Sequence, residues 1–168
     1  MDAAELANSP LFEGLTPEQL HALAALFHRV TIGGNEIIFA QGEPATALYV
    51  LLSGRVVIQF YPEDGECLDV ATIVAGGVFG WSAALARPYY TSSAIGLEDG
   101  QAAVIRSMDI RRVITTEPEL GSCLLDRMAA VVASRYEGLR DQVRRLLHAS
   151  QMVGLPAGQD GRDHHPFQ

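Results

Sequence analysis

Ile38-Phe39-Ala40-Gln41-Gly42-Glu43-Pro44-Ala45-Thr46-Ala47-Leu48-Tyr49-Val50-Leu51-Leu52-Ser53-Gly54 is the stretch on which the fold of this chain turns. Gly42-Glu43-Pro44 is a turn. Leu48 to Leu51 make one apolar strand, and Leu52-Ser53-Gly54-Arg55 joins it to the next, Gly54 supplying a backbone geometry that other residues reach only with strain. The same alternation continues on both sides. Apolar runs at 29–32, 36–40, 47–52, 55–61, 67–74, 77–79, 92–97 and 101–106 are separated by glycine and turn residues. Gly33-Gly34-Asn35, Pro62-Glu63-Asp64-Gly65 and Glu98-Asp99-Gly100 are the further turns. Short strands at this spacing read as an all-β roll or barrel.

Helices flank the roll. Residues 1–28 form a helical lead-in. Within it, Thr16-Pro17-Glu18-Gln19 is a helix start, with Thr16 as N-cap, Pro17 at the first helical position and Gln19 completing a capping box. This helix is expected to run to about Phe27, with Leu20, Leu23, Ala24 and Phe27 on one face. The roll occupies 29–107. Ser107-Met108-Asp109 is expected to cap a short helix, and Pro118 opens a long one over 118–149. Leu125, Val132, Leu139 and Leu146 recur at heptad spacing along it, with Met128 widening the stripe. Such a seam marks a helix that pairs with another helix. Residues 150–168, rich in Gly, Pro and polar side chains, read as a disordered tail.

Gly76-Gly77-Val78-Phe79-Gly80-Trp81-Ser82-Ala83-Ala84-Leu85, followed by Arg87-Pro88-Tyr89-Tyr90-Thr91-Ser92-Ser93-Ala94, is the candidate site. Two glycines allow a tight turn, Phe79 ends a short strand, and Ser82 is placed to cap the short helix after Gly80. Free amides at a helix start suit an anion.

The two stretches together resemble the cyclic nucleotide-binding domain family, over roughly residues 10–148. Gly42, Glu43, Ala45, Leu48 to Leu51 and Gly54 fit the family's first motif, and 76–94 fits its phosphate-binding cassette loosely. That cassette runs Phe-Gly-Glu-x-(Ala/Gly/Ser)-Leu and then Arg-(Ser/Thr)-Ala. Phe79, Gly80, Ala83 or Ala84, Leu85, Ser92 and Ala94 match it. The family Glu, which holds the ribose hydroxyl, is Trp81 here, and the family Arg, which pairs with the cyclic phosphate, falls on Thr91 or Tyr90. The resemblance implies a mainly β fold, a double-stranded antiparallel, jelly-roll-like β-roll with N-terminal helices and a long C-terminal helix. It also implies a ligand site at Gly80, Trp81, Ser82, Ala83, Tyr90, Thr91 and Ser92. The long helix would lid the pocket through Tyr136, Leu139 and Arg140 and would form a homodimer.

Composition excludes several other classes. The hydrophobic fraction is 48% and the net charge −8, which disfavours a free-standing nucleic-acid binder. All twelve basic residues are arginine, so a P-loop or Schiff-base lysine is absent. Cys67 and Cys123 have no metal-type spacing, and no histidine lies between His28 and His148, which removes a metal-dependent cupin. No nucleophile elbow or dinucleotide fingerprint occurs, so no enzyme is expected. With no apolar run of membrane length and no positively charged leader, a cytoplasmic location without membrane contact is expected. About twenty residues follow the long helix, without a helix-turn-helix pattern, so direct DNA binding is not expected.

Three readings of the site remain: a cyclic nucleotide sensor of weak affinity, a family fold whose pocket holds another molecule or is filled by Trp81, Tyr89 and Tyr90, and a dimeric structural or adaptor subunit working with a protein partner. No cofactor is required by the residues, and a cyclic nucleotide is the one candidate.

Overall fold

A computed structural model describes residues 1–134. Met1–Val131 forms one compact unit. Its order is α1 (Ala3–Leu6), a 3-10 turn (Pro10–Phe12), α2 (Pro17–Ala24), β1 (His28–Ile32), β2 (Ile37–Phe39), β3 (Ala47–Ser53), β4 (Val56–Phe60), β5 (Leu68–Ile73), β6 (Val78–Phe79), α3 (Trp81–Ala84), β7 (Ser93–Gly96), β8 (Gly100–Arg106) and α4 (Ser107–Thr116). A further helix, α5, covers 118–134.

The eight strands form two antiparallel four-stranded sheets, ordered β1-β8-β3-β6 and β2-β7-β4-β5. This is the expected β-roll. Each apolar run lies within a residue or two of a strand, because alternation with turn residues specifies strands of this length. Gly54 has φ +84°, and an added Cβ would stand 2.9 Å from the Asp99 carbonyl oxygen, so this corner requires glycine.

The core has two parts. Phe39, Leu51, Val56, Ile73, Phe79, Tyr90, Ala94 and Ala102 belong to the cluster inside the roll. Leu48, Val50, Val78, Ala103 and Ile105, on the other face of the first sheet, pack with Leu11, Phe12, Leu23 and Phe27 of the N-terminal segment and with Ile110, Leu124 and Met128. The alternation Leu48, Val50 against Leu51 shows how β3, buried on both faces, serves both clusters.

Three local expectations change. α2 carries the capping box, Gln19 N donating to Thr16 Oγ1 and Thr16 N to Gln19 Oε1, but it ends at Ala24. Leu26 N and Phe27 N donate to the carbonyls of Leu23 and Ala24, a tightened last turn that delivers Phe27, still buried, edge-on to Phe12 at 5.5 Å. β1 then begins at His28, inside the expected lead-in. At α4 the N-cap is Arg106, without a side-chain cap bond. Asp109 holds the first turn instead, accepting from Arg106 Nε at 2.8 Å and pairing with Arg112 at 3.2 Å. Ser107 is buried, and its N–H donates to the Thr46 carbonyl.

Candidate functional site

The candidate site is where β6 leaves the first sheet. Gly80 has φ +81° and ψ 29°, and an added Cβ would lie 2.8 Å from the Ala47 carbonyl oxygen. Only glycine lets the chain turn this close to β3. Gly80 is itself the N-cap of α3, and no side chain caps it. Ser82, expected as the cap, is the second helical residue and is buried. The Ser82 carbonyl accepts from Arg87 N. Ala86, with φ +55°, turns the chain out of α3.

The second half of the cassette is laced to the 42–45 turn. Gly42 N donates to the Tyr90 carbonyl, Tyr90 N to the Glu43 carbonyl and Ala45 N to the Pro88 carbonyl, each at 2.9 Å. Glu43 closes its own turn, its carboxylate accepting from Ala40 N at 3.0 Å. The two motifs recognised separately in the sequence are thus one structural unit.

Tyr90 is the centre of that unit. Its side chain is 4% exposed. The hydroxyl donates to the Ala47 carbonyl at 2.8 Å and accepts from Ala47 N at 3.1 Å. The ring lies on Phe39, centroids 3.8 Å apart. Tyr49 stacks on Phe79 at 4.9 Å and tilts toward Phe39 at 5.7 Å. Four aromatic rings therefore fill the roll interior beside the cassette. Burial, with Tyr90 and Glu43 nearby, pushes the Tyr49 phenol well above its ordinary pKa.

The other aromatic residues of the cassette point elsewhere. Trp81 packs against the outer cluster, not the interior one, and its indole Nε1 donates to the Val78 carbonyl at 3.2 Å. Tyr89 is 57% exposed. Trp81, Tyr89 and Tyr90 therefore do not line one cavity. Thr91 is exposed, Ser92 half-buried and Ala83 buried in the interior cluster. Arg87 is the sole charged residue between Gly76 and Ala94, and it is exposed. Phe39 and Tyr49 join the site although the cassette pattern does not include them. Their aromatic character on either side of the 42–45 turn was the available signal.

Residues 29–117 match the sequence profile of the Cyclic nucleotide-binding domain. The chain belongs to the cyclic nucleotide-binding domain family. It is 26% identical over 162 residues to a CRP-like cAMP-activated global transcriptional regulator of Mycobacterium tuberculosis, covering 91% of this chain and 72% of that protein. It is 32% identical over 116 residues to a Rhodopseudomonas palustris protein assigned as a potassium channel protein. That match covers 68% of this chain, and the chain spans only 27% of the channel protein's length. The crystal structure of the Thermus thermophilus Catabolite Activator Protein superposes with a TM-score of 0.70 at 28% identity, over 82% of this chain and 63% of that one. A cyclic nucleotide-binding domain is a regulatory binding module, and the two four-stranded sheets with their flanking helices are its fold.

Of the residues expected on the long helix, Leu125 and Val132 are exposed. Met128, expected in the pairing seam, is buried in this chain's own outer cluster. Its face of α5 carries Leu120, Leu124 and Met128 at helical spacing, which packs inward. The lid residues Tyr136, Leu139 and Arg140, the seam residues Leu139 and Leu146, and the 150–168 tail lie outside the described residues. Among the described residues no helix is long and apolar enough to cross a membrane, and no cluster of potential metal ligands occurs.

Proposed function

We propose that this chain is a non-catalytic regulatory module of the cyclic nucleotide-binding domain family whose cassette no longer reads cAMP or cGMP in the usual way. Tyr90 carries this reading. Its ring packs on Phe39 and its hydroxyl bonds both polar groups of Ala47, so a side chain of the cassette fills interior space. The two ligand-holding groups implied by the family pattern are replaced. Each charge-assisted hydrogen bond of that kind contributes about 1.5–3 kcal/mol. Losing both weakens binding by roughly a hundred-fold or more. Within 76–94 the remaining polar side chains, Ser82, Thr91 and Ser92 among them, offer hydroxyls and no buried cation.

The test is thermal melting of the protein with cAMP, cGMP and cyclic dinucleotides, followed by calorimetry. A ligand that binds only the folded state raises the melting temperature by mass action. No shift at millimolar ligand is expected. Micromolar cAMP binding that is lost in Ser82→Ala would refute the reading.

A dimeric adaptor is the second reading, favoured by Leu125 and Val132, seven residues apart and both exposed on α5. Sedimentation of the wild type against Leu125→Asp/Val132→Asp tests it; a wild-type monomer counts against it.

A further inference from the structure

A groove of about 320 Å³, lined by Ile37, Ala40, Gln41, Tyr61, Ser93 and Ile95, stands apart from the cassette interior. A bulge creates its floor. Phe39 pairs with Ala94 and Ile37 with Ile95, the register shifting between Ile37 and Phe39. Phe39 and Ala94 face the interior of the roll, so Ile37 and Ile95 are turned to the outer face of the second sheet. Ile37 is left 63% exposed and Tyr61 47%.

The groove wall is preformed. Tyr61 N donates to Gln41 Oε1 and Gln41 Nε2 donates to the Tyr61 carbonyl, both at 2.9 Å. The Tyr61 hydroxyl donates to Gln59 Oε1 at 3.0 Å, and Gln59 Nε2 donates to Asp69. The ring is therefore held at the surface, with little ordering entropy left to lose on docking.

The chain segments that supply the groove are acidic, and Arg55, at the far end of β4, is already paired with Glu98. Glu36 and Glu43 flank β2, Glu63, Asp64 and Glu66 lie in the turn after Tyr61, and Asp69 follows on β5. No arginine occurs in 36–43, 59–69 or 91–95. Ion pairs do form elsewhere, at Glu5, Glu13, Glu98 and Asp109, but none of these six carboxylates takes part in one among the described residues.

We propose that this groove docks an amphipathic basic segment of a partner protein, its apolar side chains on Ile37, Ile95 and the Tyr61 ring and its arginines or lysines toward the surrounding carboxylates. A preformed apolar floor supplies affinity, and the acidic rim, which forms no ion pair among the described residues, supplies orientation and on-rate. The same rim repels phosphate-bearing partners such as nucleic acid or an anionic lipid surface, and a second copy of this chain brings like charge. The groove lies on the outer face of the second sheet and meets the cassette only at Ser93, whereas the Tyr90 and Phe39 rings lie in the interior, so the proposal does not depend on a nucleotide binding there.

Fluorescence polarisation of the full chain tests this, with a labelled eight-residue peptide of alternating arginine and leucine and two controls, arginine–serine and glutamate–leucine. The arginine–leucine peptide is expected to bind in a salt-sensitive manner, with both controls at least ten-fold weaker. Ile37→Glu, at an exposed position that tolerates charge, is expected to weaken binding about ten-fold with unchanged circular dichroism and melting. Glu63→Gln/Asp64→Asn/Glu66→Gln is expected to flatten the salt dependence. Equal binding of the arginine–serine peptide would reduce the effect to bulk charge and overturn the proposal. So would unaltered binding by Ile37→Glu, absence of binding at millimolar peptide, or self-association of the wild type that Ile37→Glu abolishes.

Discussion

Tyr90 and Phe39 lie face to face, their ring centroids 3.8 Å apart and their planes 14° from parallel. One ring comes from the cassette and the other from the second sheet, so the contact ties the candidate ligand segment to the roll through its interior. The Tyr90 hydroxyl completes the tie at Ala47, the first residue of β3.

Tyr90→Phe keeps the stack and removes the hydroxyl, leaving the N–H and carbonyl of Ala47 without that partner. The expected loss is about 1–3 kcal/mol, read by denaturant unfolding. Tyr90→Ala also opens a cavity and is expected to lose about 3–5 kcal/mol. Equal stability of Tyr90→Phe and wild type would show that the hydroxyl contributes nothing.

Gly80 and Ala86 both hold positive φ, at +81° and +55°, and substitutions there should act in opposite directions. Gly80→Ala adds left-handed strain and a clash with the Ala47 carbonyl, an expected loss of at least about 1–2 kcal/mol. Ala86→Gly relieves strain and is expected to be neutral or to gain up to about 1 kcal/mol. Melting temperatures of the two variants decide it.

Ser82→Ala separates two accounts of α3. A serine that caps a helix costs about 1 kcal/mol when removed. Ser82 makes no cap bond here, so a change below about 0.5 kcal/mol is expected. A loss above 1 kcal/mol by urea titration would restore the capping role.

Gly121 sits where α5 crosses α4, and a Cβ added there would stand 2.6 Å from Ile114 Cα. Backbone cannot yield as a side chain does, so Gly121→Ala is expected to cost about 1–3 kcal/mol by forcing the helices apart. Calorimetric unfolding enthalpy and midpoint would both register the change.

Stability should also fall in alkali. The folded state holds the Tyr49 phenol above its ordinary value, chiefly through burial. The unfolded chain therefore ionises first. The contribution is fully present below about pH 10 and is lost as pH rises beyond it. Tyr49→Phe is expected to flatten this limb of the stability–pH curve, followed by circular dichroism; an unchanged limb would assign the alkaline loss to other groups.

The strands were legible because 28–106 alternates apolar runs with glycine corners, and such corners admit few alternatives. Helix ends were less so. Phe27 has the spacing of α2 yet lies beyond it, because burial against Phe12 does not require helical backbone. Ser107 looked like a cap by residue type, but its place is taken by the Arg106–Asp109 pair, a contact that spacing alone does not rank. In the cassette, the replaced acidic and basic positions were plain in the sequence. Which aromatic residue turned inward was not. Trp81, Tyr89 and Tyr90 are similar in chemistry, and only the lacing of 88–90 to 42–45 decides that Tyr90 is the one enclosed. Met128 shows the same ambiguity on a helix: a heptad stripe and a core-facing stripe overlap, and packing against Leu124 and Ile110 chose the second.

Trp81 is the chain's single tryptophan, and it sits half-buried at the first position of α3 with its indole N–H on the Val78 carbonyl. The molecule therefore carries a native fluorophore within the cassette, at the junction of β6 and α3. Its emission reports that one place, without labelling, and any molecule that displaces the cassette would announce itself as a change in colour.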